Sequence, residues 1–452
     1  MISEHFRNIF SIPDLRRKLL FTFGLLILYR VGFHIPIPEL NLDQLSEFKE
    51  GRGAAQGILV FLSTISGGGL DSLSVFSLGI MPYISASIIF SMLVKVFPTL
   101  EEIQKEGASG QQKINQWTRM ATVPLCVIQS LFIINLLSDP ISVGSGRTIH
   151  LIPPGLGIGF WITSMVAFTA GAMFLMWIGE MITEHGVSNG ISLLIMAGIV
   201  ARLPTVALEL VRPEDASQDP FIGQMVVFFI LFVAIVLGVT LVQEGQRRIP
   251  IQQAKNVKGQ KVYGGQRSHF PIRINQAGVM PVIFASSLMI FPSVIISKLG
   301  FAHSTLGDLM QPSGWTYIVM YVGMIYFFSY FWNSLMFQPT ELAKNLKEHG
   351  SFIPGIRPGR WTAEFLERVM NRMTYVGAGF LAFIALLPNV IVGLMGLNTA
   401  AQMQVAYFLG GTGILIVVSV VLEFIQKVES HLMMRSYRGF IKDRSGRGRS
   451  RR

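Results

Sequence analysis

The sequence predicts an all-α polytopic membrane protein, with ten transmembrane helices arranged as two inverted five-helix halves. Three observations carry that expectation. Of its 452 residues 51% are hydrophobic and only 14% charged, giving a mean hydropathy of +0.51; soluble domains carry about 25% charged residues. Long segments free of Asp, Glu, Lys and Arg recur along the chain. A nine-residue motif appears twice, five spans apart.

A spanning helix needs about 20 mostly apolar residues, because hydrocarbon offers no water to exposed peptide groups. Residues 3–18 form an amphipathic lead-in that lies on the membrane surface. The first span, 19–38, contains Arg30 and stops at Ile35-Pro36-Ile37-Pro38, where a helix cannot continue. Arg30 and the two prolines also separate it from a cleaved signal peptide, since no small-residue cleavage site follows. Uncharged spans then fall at 72–94, 120–138, 148–179, 186–201, 220–243, 274–297 and 309–340. The uncharged stretch 373–422 is too long for one helix. It is expected to break at Pro388-Asn389 and around 398–404, giving spans near 373–395 and 403–422. The segment 57–71 is apolar but too short to cross, and ends in Gly67-Gly68-Gly69. It reads either as a re-entrant helix buried by protein or as an interfacial helix on the outer leaflet.

Charge orients the chain. The net charge is +11, and 30 of the 37 Lys and Arg residues fall in one set of alternating loops and the two termini, against 6 in the other set. The positive-inside rule therefore puts both termini in the cytosol, with seven basic residues in the cytosolic loop 244–273 and six in 337–372. The lone cysteine, Cys126, excludes an intrachain disulfide and a zinc site built from several thiolates.

Residues 79–87 read Gly-Ile-Met-Pro-Tyr-Ile-Ser-Ala-Ser and 278–286 read Gly-Val-Met-Pro-Val-Ile-Phe-Ala-Ser, matching at six of nine positions. An odd five-span offset makes the copies run in opposite directions, the signature of an inverted repeat with Gly/Pro-interrupted helices along a central path. The expected halves are 1–208 and 209–422, followed by a basic cytosolic tail, 423–452.

Away from Arg30, the span interiors hold no Asp, Glu, Lys or Arg. Ion-coupled transporters and pumps usually place an ionisable group near mid-membrane to bind the coupling ion. No His-Glu-x-x-His or Walker motif occurs, and Ser192 after Gly190-Ile191 has no histidine partner, so it reads as interhelical glue. The chain is therefore expected to be no enzyme and to hold no metal or cofactor. Ile80 and Ile84 share one helical face beside the Gly79/Pro82 interruption, and Ile191 and Ile195 repeat the spacing. Branched side chains at a waist exclude ions by dewetting; ordinary helix packing accounts for the same pattern.

Longer runs carry a family resemblance. They are Ser77 through Ser87, Phe97-Pro98-Thr99-Leu100, Phe174-Leu175-Met176-Trp177, Gly186 through Ser192, Gly245-Gln246-Arg247-Arg248, Asn275-Gln276-Ala277-Gly278 and Pro354-Gly355-Ile356-Arg357-Pro358-Gly359. In order and length they resemble the SecY family, the channel subunits of bacterial protein translocases, across nearly the whole chain. The resemblance implies a protein-conducting channel with an hourglass pore, opening vertically for secreted chains and sideways for apolar segments. It implies a pore ring of Ile80, Ile84, Ile191, Ile195, Ile283 and Ile416, and a plug in 57–71 that includes Ile65, Ser66, Gly67, Gly68 and Gly69. A lateral gate would carry Ser85, Gln129 and Asn275, and Arg247, Arg248 and Arg357 would dock cytosolic partners.

The implied partners are the small subunits SecE and SecG, the SecA motor, the ribosome, an unfolded polypeptide and anionic lipids. The implied location is the bacterial cytoplasmic membrane. Two features depart from the family pattern. The region around Ser72, where the family often carries a basic residue, has Asp71 and no arginine, and the tail from Arg444 to Arg452 is more basic than the resemblance requires and reads as a disordered segment drawn to anionic lipid. The competing class is an inverted-repeat secondary transporter of a small solute, which leaves the segment 57–71 and the basic loops without a role.

Overall fold

A computed structural model describes residues 12–38, 73–138, 141–143, 147–149, 152, 157–204, 222–253, 256–258, 261–263, 267–286, 288–289, 314–395 and 412–447. The chain divides into two compact units, one of residues 1–208 with 420–452 and one of residues 209–419. Each is built mainly of helices.

In the first unit, helix α1 (Pro13–Gly32) opens with proline and Asp14 in its first turn and closes with Arg30 in its last. That order suits the missing proline N–H and the helix dipole. Leu15 and Leu19 of α1 bury against Val187 and Val428. Helix α2 (Met81–Val96) begins on Pro82, then bends by 102° at Phe97 into the short α3 (Pro98–Lys105), none of whose side chains is buried. Helix α4 (Ala108–Ser138) has 31 residues. At 1.5 Å per residue it is longer than the roughly 30 Å hydrocarbon layer, so its first turns stand outside. After a small hairpin, β1 (Ile141–Val143) with β2 (Arg147–Ile149), come α5 (Ile158–His185) and α6 (Gly190–Val200). Cys126, Ile133, Ile134 and Leu137 of α4 pack with Phe160, Phe168 and Ala172 of α5, over Ile37, Leu73 and Leu78.

The second unit begins with α7 (Ile222–Glu244). An antiparallel ribbon follows, β3 (Gln246–Gln253) with β6 (Arg267–Arg273), and a smaller pair, β4 (Asn256–Lys258) with β5 (Lys261–Tyr263). Then come α8 (Trp315–Met336), α9 (Pro339–Glu348), β7 (Ser351–Phe352) and α10 (Arg360–Met395). Strand β7 adds to β3, pairing Gln252 with Phe352. Ile249, Ile272, Ile353, Leu366 and Val369 form the core between this sheet and the first turns of α10. Helix α11 (Thr412–Arg447) starts in this unit and ends in the other.

Among the described residues five helices are long and apolar enough to cross a membrane, or six with the bent α2–α3 pair. The spans near 274–297 and 403–422 are described only in part, and 57–71 lies outside the described residues.

Several expectations need correction. Pro388 does not break the chain: α10 runs through it for 36 residues. A proline removes one helical hydrogen bond, and neighbouring elements compensate for such losses in membrane helices. Residues 180–185 are the last turns of α5 rather than a loop. The second span starts as a helix only at Met81, because 73–80 is a series of turns. The basic tail is helical as far as Arg447, since each residue added to an existing helix gains one more hydrogen bond.

Close approach sets the tolerance of α5. A Cβ on Gly171 would overlap the carbonyl oxygen of Val75, which belongs to backbone and cannot swing aside, whereas Gly323 of α8 has open space around it. Gly171→Ala is therefore expected to cost about 1–3 kcal/mol, the usual range for overpacking. Gly323→Ala should be neutral, with thermal unfolding of the detergent-solubilised protein distinguishing the two.

Candidate functional site

The two copies of the repeated motif build the same backbone. Gly79 has φ +57° and Gly278 φ +64°, a left-handed turn that suits glycine. Each turn leads directly into helix, at Met81 and at Met280. Ile84 N–H donates to the carbonyl of Ile80 at 3.0 Å, and Ile283 N–H donates to that of Val279, the equivalent residue, at 3.3 Å. Ile80, Ile84, Ile283 and Ile416 are all buried. Ile80, Ile84, Ile191 and Ile195 belong to the first unit, Ile283 and Ile416 to the second.

Ile191 and Ile195 lie half-buried on α6. The helix is set by a local cap: Asn189 Oδ1 accepts from Ile191 N–H at 3.1 Å and from Ser192 N–H at 3.5 Å. Gly190 N–H donates to Thr183 Oγ1 at 2.9 Å, and Gly190 packs directly on the carbonyl of Gly179. Ile191 in turn lies over Gly179, where a Cβ would be 3.1 Å from its Cγ1. Gly190-Ile191-Ser192 is thus the capped start of a helix.

Residues 35–37 and 73–75 form a two-stranded neck. Pro36 and Ser74 make an isolated antiparallel bridge, flanked by Ile37 N–H to Leu73 O at 3.1 Å and Val75 N–H to Ile35 O at 3.0 Å. The 36 residue positions from 37 to 72, with the expected plug inside them, therefore leave and return at one point. An aromatic chain braces it: Phe33 to Phe76 at 5.8 Å, Phe76 to Phe174 at 6.0 Å and Phe174 to Trp177 at 5.7 Å between ring centroids. Arg30, the charge inside the first span, places its guanidinium 5.3 Å from the centre of the Phe33 ring. A cation over an aromatic face is attracted by the ring quadrupole. Ile65, Ser66, Gly67, Gly68 and Gly69 lie outside the described residues.

Of the expected gate residues, Ser85 on α2 and Gln129 on α4 are half-buried on helices that pack together. Asn275 is buried in the second unit, and its Nδ2 donates to the carbonyl of Gly278 at 3.0 Å. That amide braces the glycine turn of its own repeat copy. The sequence reading missed an ion pair between α4 and α5, Arg119 Nε to Glu180 Oε1 at 2.6 Å. The two are 61 residues apart, so no local signal announces them.

The arginines expected to dock cytosolic partners lie in the second unit. Arg247 and Arg248 are both exposed on β3, but strand alternation sends them to opposite faces. Arg247 shares the side of Ile249, Ile251 and its cross-strand partner Ile272, while Arg248 shares that of Pro271 and His269. Arg357 stands in a turn between Gly355 (φ +85°) and Gly359 (φ +102°). Ile356 N–H donates to Ile353 O at 3.1 Å and Thr362 Oγ1 donates to Arg357 O at 3.0 Å. With Ile353 and Ile356 held in the core of the sheet, Arg357 is left exposed. Among the described residues no three His, Cys, Asp or Glu side chains gather to hold a metal ion.

Comparison with known proteins identifies this architecture. The SecY family model matches residues 74–425. The protein translocase subunit SecY of Thermotoga maritima is 40% identical over 99% of both chains. That of Escherichia coli is 40% identical over 97% of this chain and 96% of its own. Two solved structures share the fold, each covering 91% of both chains: a protein-conducting channel, with a TM-score of 0.60 at 18% identity, and Sec61 in a canine ribosome–channel complex from the endoplasmic reticulum, with a TM-score of 0.55 at 16% identity. On this evidence the chain belongs to the SecY family of protein translocase subunits.

Proposed function

We propose that this multi-pass membrane protein is the central subunit of a protein-conducting channel, sealed at a waist of isoleucines. It is a channel component rather than an enzyme, and family membership leaves no support for the solute-transporter alternative. The observation that carries the waist is the duplicated turn: two copies of the motif bury Ile84 and Ile283 at the same helical position after the same left-handed glycine. Ile80, Ile191, Ile195 and Ile416 complete the ring. Water is unstable in a narrow tube of branched aliphatic side chains, so ions are excluded while a polypeptide can part the ring.

The halves 1–208 and 209–422 clamp around that waist, and Ser85, Gln129 and Asn275 mark the seam that opens sideways for apolar segments. A few polar contacts of roughly 1 kcal/mol each hold such a seam weakly enough for a hydrophobic helix to displace them. The segment 57–71, with Ile65, Ser66, Gly67, Gly68 and Gly69, plugs the external funnel, tethered by the neck at Pro36 and Ser74. Arg247, Arg248 and Arg357 dock a ribosome or the SecA motor, and SecE and SecG complete the assembly. A ribosome partner is supported by the ribosome-bound relative Sec61. The bacterial cytoplasmic membrane, with both termini cytosolic, is supported by the distribution of lysine and arginine and by the bacterial relatives.

Site-specific crosslinking tests the pathway: a photoreactive residue at position 84 or 283 should capture an arrested translocating polypeptide, and no adduct at either position would overturn the reading. Glycine at Ile84 and Ile283 together should make the resting channel conduct small ions in planar bilayers; unchanged conductance would count against the ring. Arg357→Glu should lower export about tenfold or more, as loss of a charge-assisted contact worth about 1.5–3 kcal/mol requires, with the protein still inserted normally. Export at the unsubstituted rate would remove Arg357 from docking. The bridge at 36 and 74 is of the type without mutual hydrogen bonds, where Cα atoms lie about 4.5 Å apart. Cysteines at Pro36 and Ser74 should therefore close a disulfide on mild oxidation while export continues, because the plug moves beyond the neck; loss of export on oxidation would show that the neck itself must open.

A further inference from the structure

Strands β3 and β6 of the second unit each contain a proline, Pro250 and Pro271. Both occupy the one kind of position where a strand tolerates it. Ile274 N–H donates to the carbonyl of Gly245 at 2.9 Å, one step beyond the paired Gln246 and Arg273. Antiparallel pairs alternate between those that exchange hydrogen bonds and those that turn their peptide groups away from the shared ladder. Alternating from Gly245 and Ile274, the bonded pairs are Arg247 with Ile272, Ile249 with Phe270 and Ile251 with Ser268. The pairs between them, Arg248 with Pro271 and Pro250 with His269, turn outward. Neither proline therefore costs the β3–β6 ladder a hydrogen bond.

The outward positions form the edges of the sheet. The strand order is β6-β3-β7, so β6 is an edge strand, and among the described residues no strand pairs with its outer side. Arg267, His269, Pro271 and Arg273 turn their peptide groups to that side, and all are exposed. They would offer a new strand a continuous row of donors and acceptors, but Pro271 lacks the N–H and its ring occupies the place of a partner carbonyl. On the far side, β7 covers only the end of β3, through Gln252 with Phe352 and Gln253 with Ser351. Extending that pairing in register would set Pro250 against Pro354, two residues without an N–H, and β7 ends before it. Both edges stop at proline.

An open edge pairs with any extended chain, because the contacts are made by backbone groups whatever the side chains. We propose that Pro271 keeps the free edge of this sheet from capturing unfolded polypeptide, an inference that rests on the reading of the chain as a polypeptide channel. Arg267 and His269 alone are too short a run of donors to hold a strand. With an N–H restored at 271 the row is unbroken from Arg267 to Arg273. A chain caught there would be held along its backbone and would have to break the new ladder before it could move on.

The test compares Pro271→Ala and Pro271→Val with the unsubstituted full-length protein in neutral detergent. Alanine restores the N–H with little apolar surface; valine adds both. The probe is a fluorescent peptide of alternating threonine and valine, with a twin N-methylated at every second residue so that it cannot form a ladder. Both variants should bind the first peptide about threefold to tenfold more tightly than the unsubstituted protein does, the gain of one backbone hydrogen bond, and should bind the twin no better. A photoreactive residue at Ser268 should crosslink the peptide in the variants only. Unchanged peptide binding in Pro271→Ala with unchanged thermal unfolding, tighter binding by Pro271→Val alone, or equal binding of the twin would each overturn the proposal. Adducts at Ser268 in the unsubstituted protein would overturn it too, because the edge would already be open. Export by both variants should be slower, with the translocating chain crosslinked at Ser268; export at the unsubstituted rate would show that the edge plays no part. Failure of the channel reading is distinguishable, since it leaves position 84 without an adduct in all three proteins while the peptide result stands.

Discussion

Hydrocarbon cannot hydrogen-bond a peptide group, and most of this molecule follows from that constraint. Regular helices satisfy it internally; every interruption must be satisfied by something else. Among the described residues, three interruptions are answered by neighbouring groups. The extended neck at 35–37 is paired with 73–75, the start of α6 is capped by Asn189 and Thr183, and the turn at Gly278 is braced by Asn275. The last two also lead into helices that carry isoleucines of the proposed waist, Ile191 and Ile195 on α6 and Ile283 after Gly278. Irregular backbone at membrane depth is expensive, so it is concentrated where a path needs to be lined.

The same economy of charge shapes the two sides of the membrane. With the spans almost uncharged, the basic residues collect in one set of alternating loops and the two termini, the side that the positive-inside rule assigns to the cytosol. What turns a basic loop into a surface is the small sheet of the second unit. Ile249, Ile272 and Ile353 pack it onto α10, and that packing holds the turn around Arg357. Arginine can serve as a recognition group only when its backbone is held, because its own side chain has so much rotamer freedom to lose. The Arg119–Glu180 pair works differently: partly exposed, it joins α4 to α5 for a modest gain and recognises nothing outside the chain.

Much of the candidate site was legible because it is written locally. Gly79 and Gly278 stand out as repeated left-handed positions before proline, and the i, i+4 isoleucines follow by helical periodicity. The ribbon was missed because a proline separates the apolar pair of each strand, Ile249-Pro250-Ile251 and Phe270-Pro271-Ile272, and proline inside a short run argues against a strand. The expected break at Pro388 failed for the opposite reason: a strong local rule was overridden by a membrane helix that can absorb one lost hydrogen bond. Arg247 and Arg248, adjacent in sequence, looked like one patch until strand alternation separated them.

Hydrophobicity, alternating charge and the internal repeat are properties of single segments, so the sequence by itself determined that this chain spans the membrane repeatedly, and it carries the charge bias and the repeat from which an orientation and two halves are expected. Those depend on transfer of each segment from water and need no knowledge of neighbours. Tertiary structure alone decided the neck that joins residue 36 to residue 74, the packing of Gly171 on Val75 and the ion pair of Arg119 with Glu180. Each of these is a contact between residues distant along the chain, and its energy exists only once the intervening helices have packed.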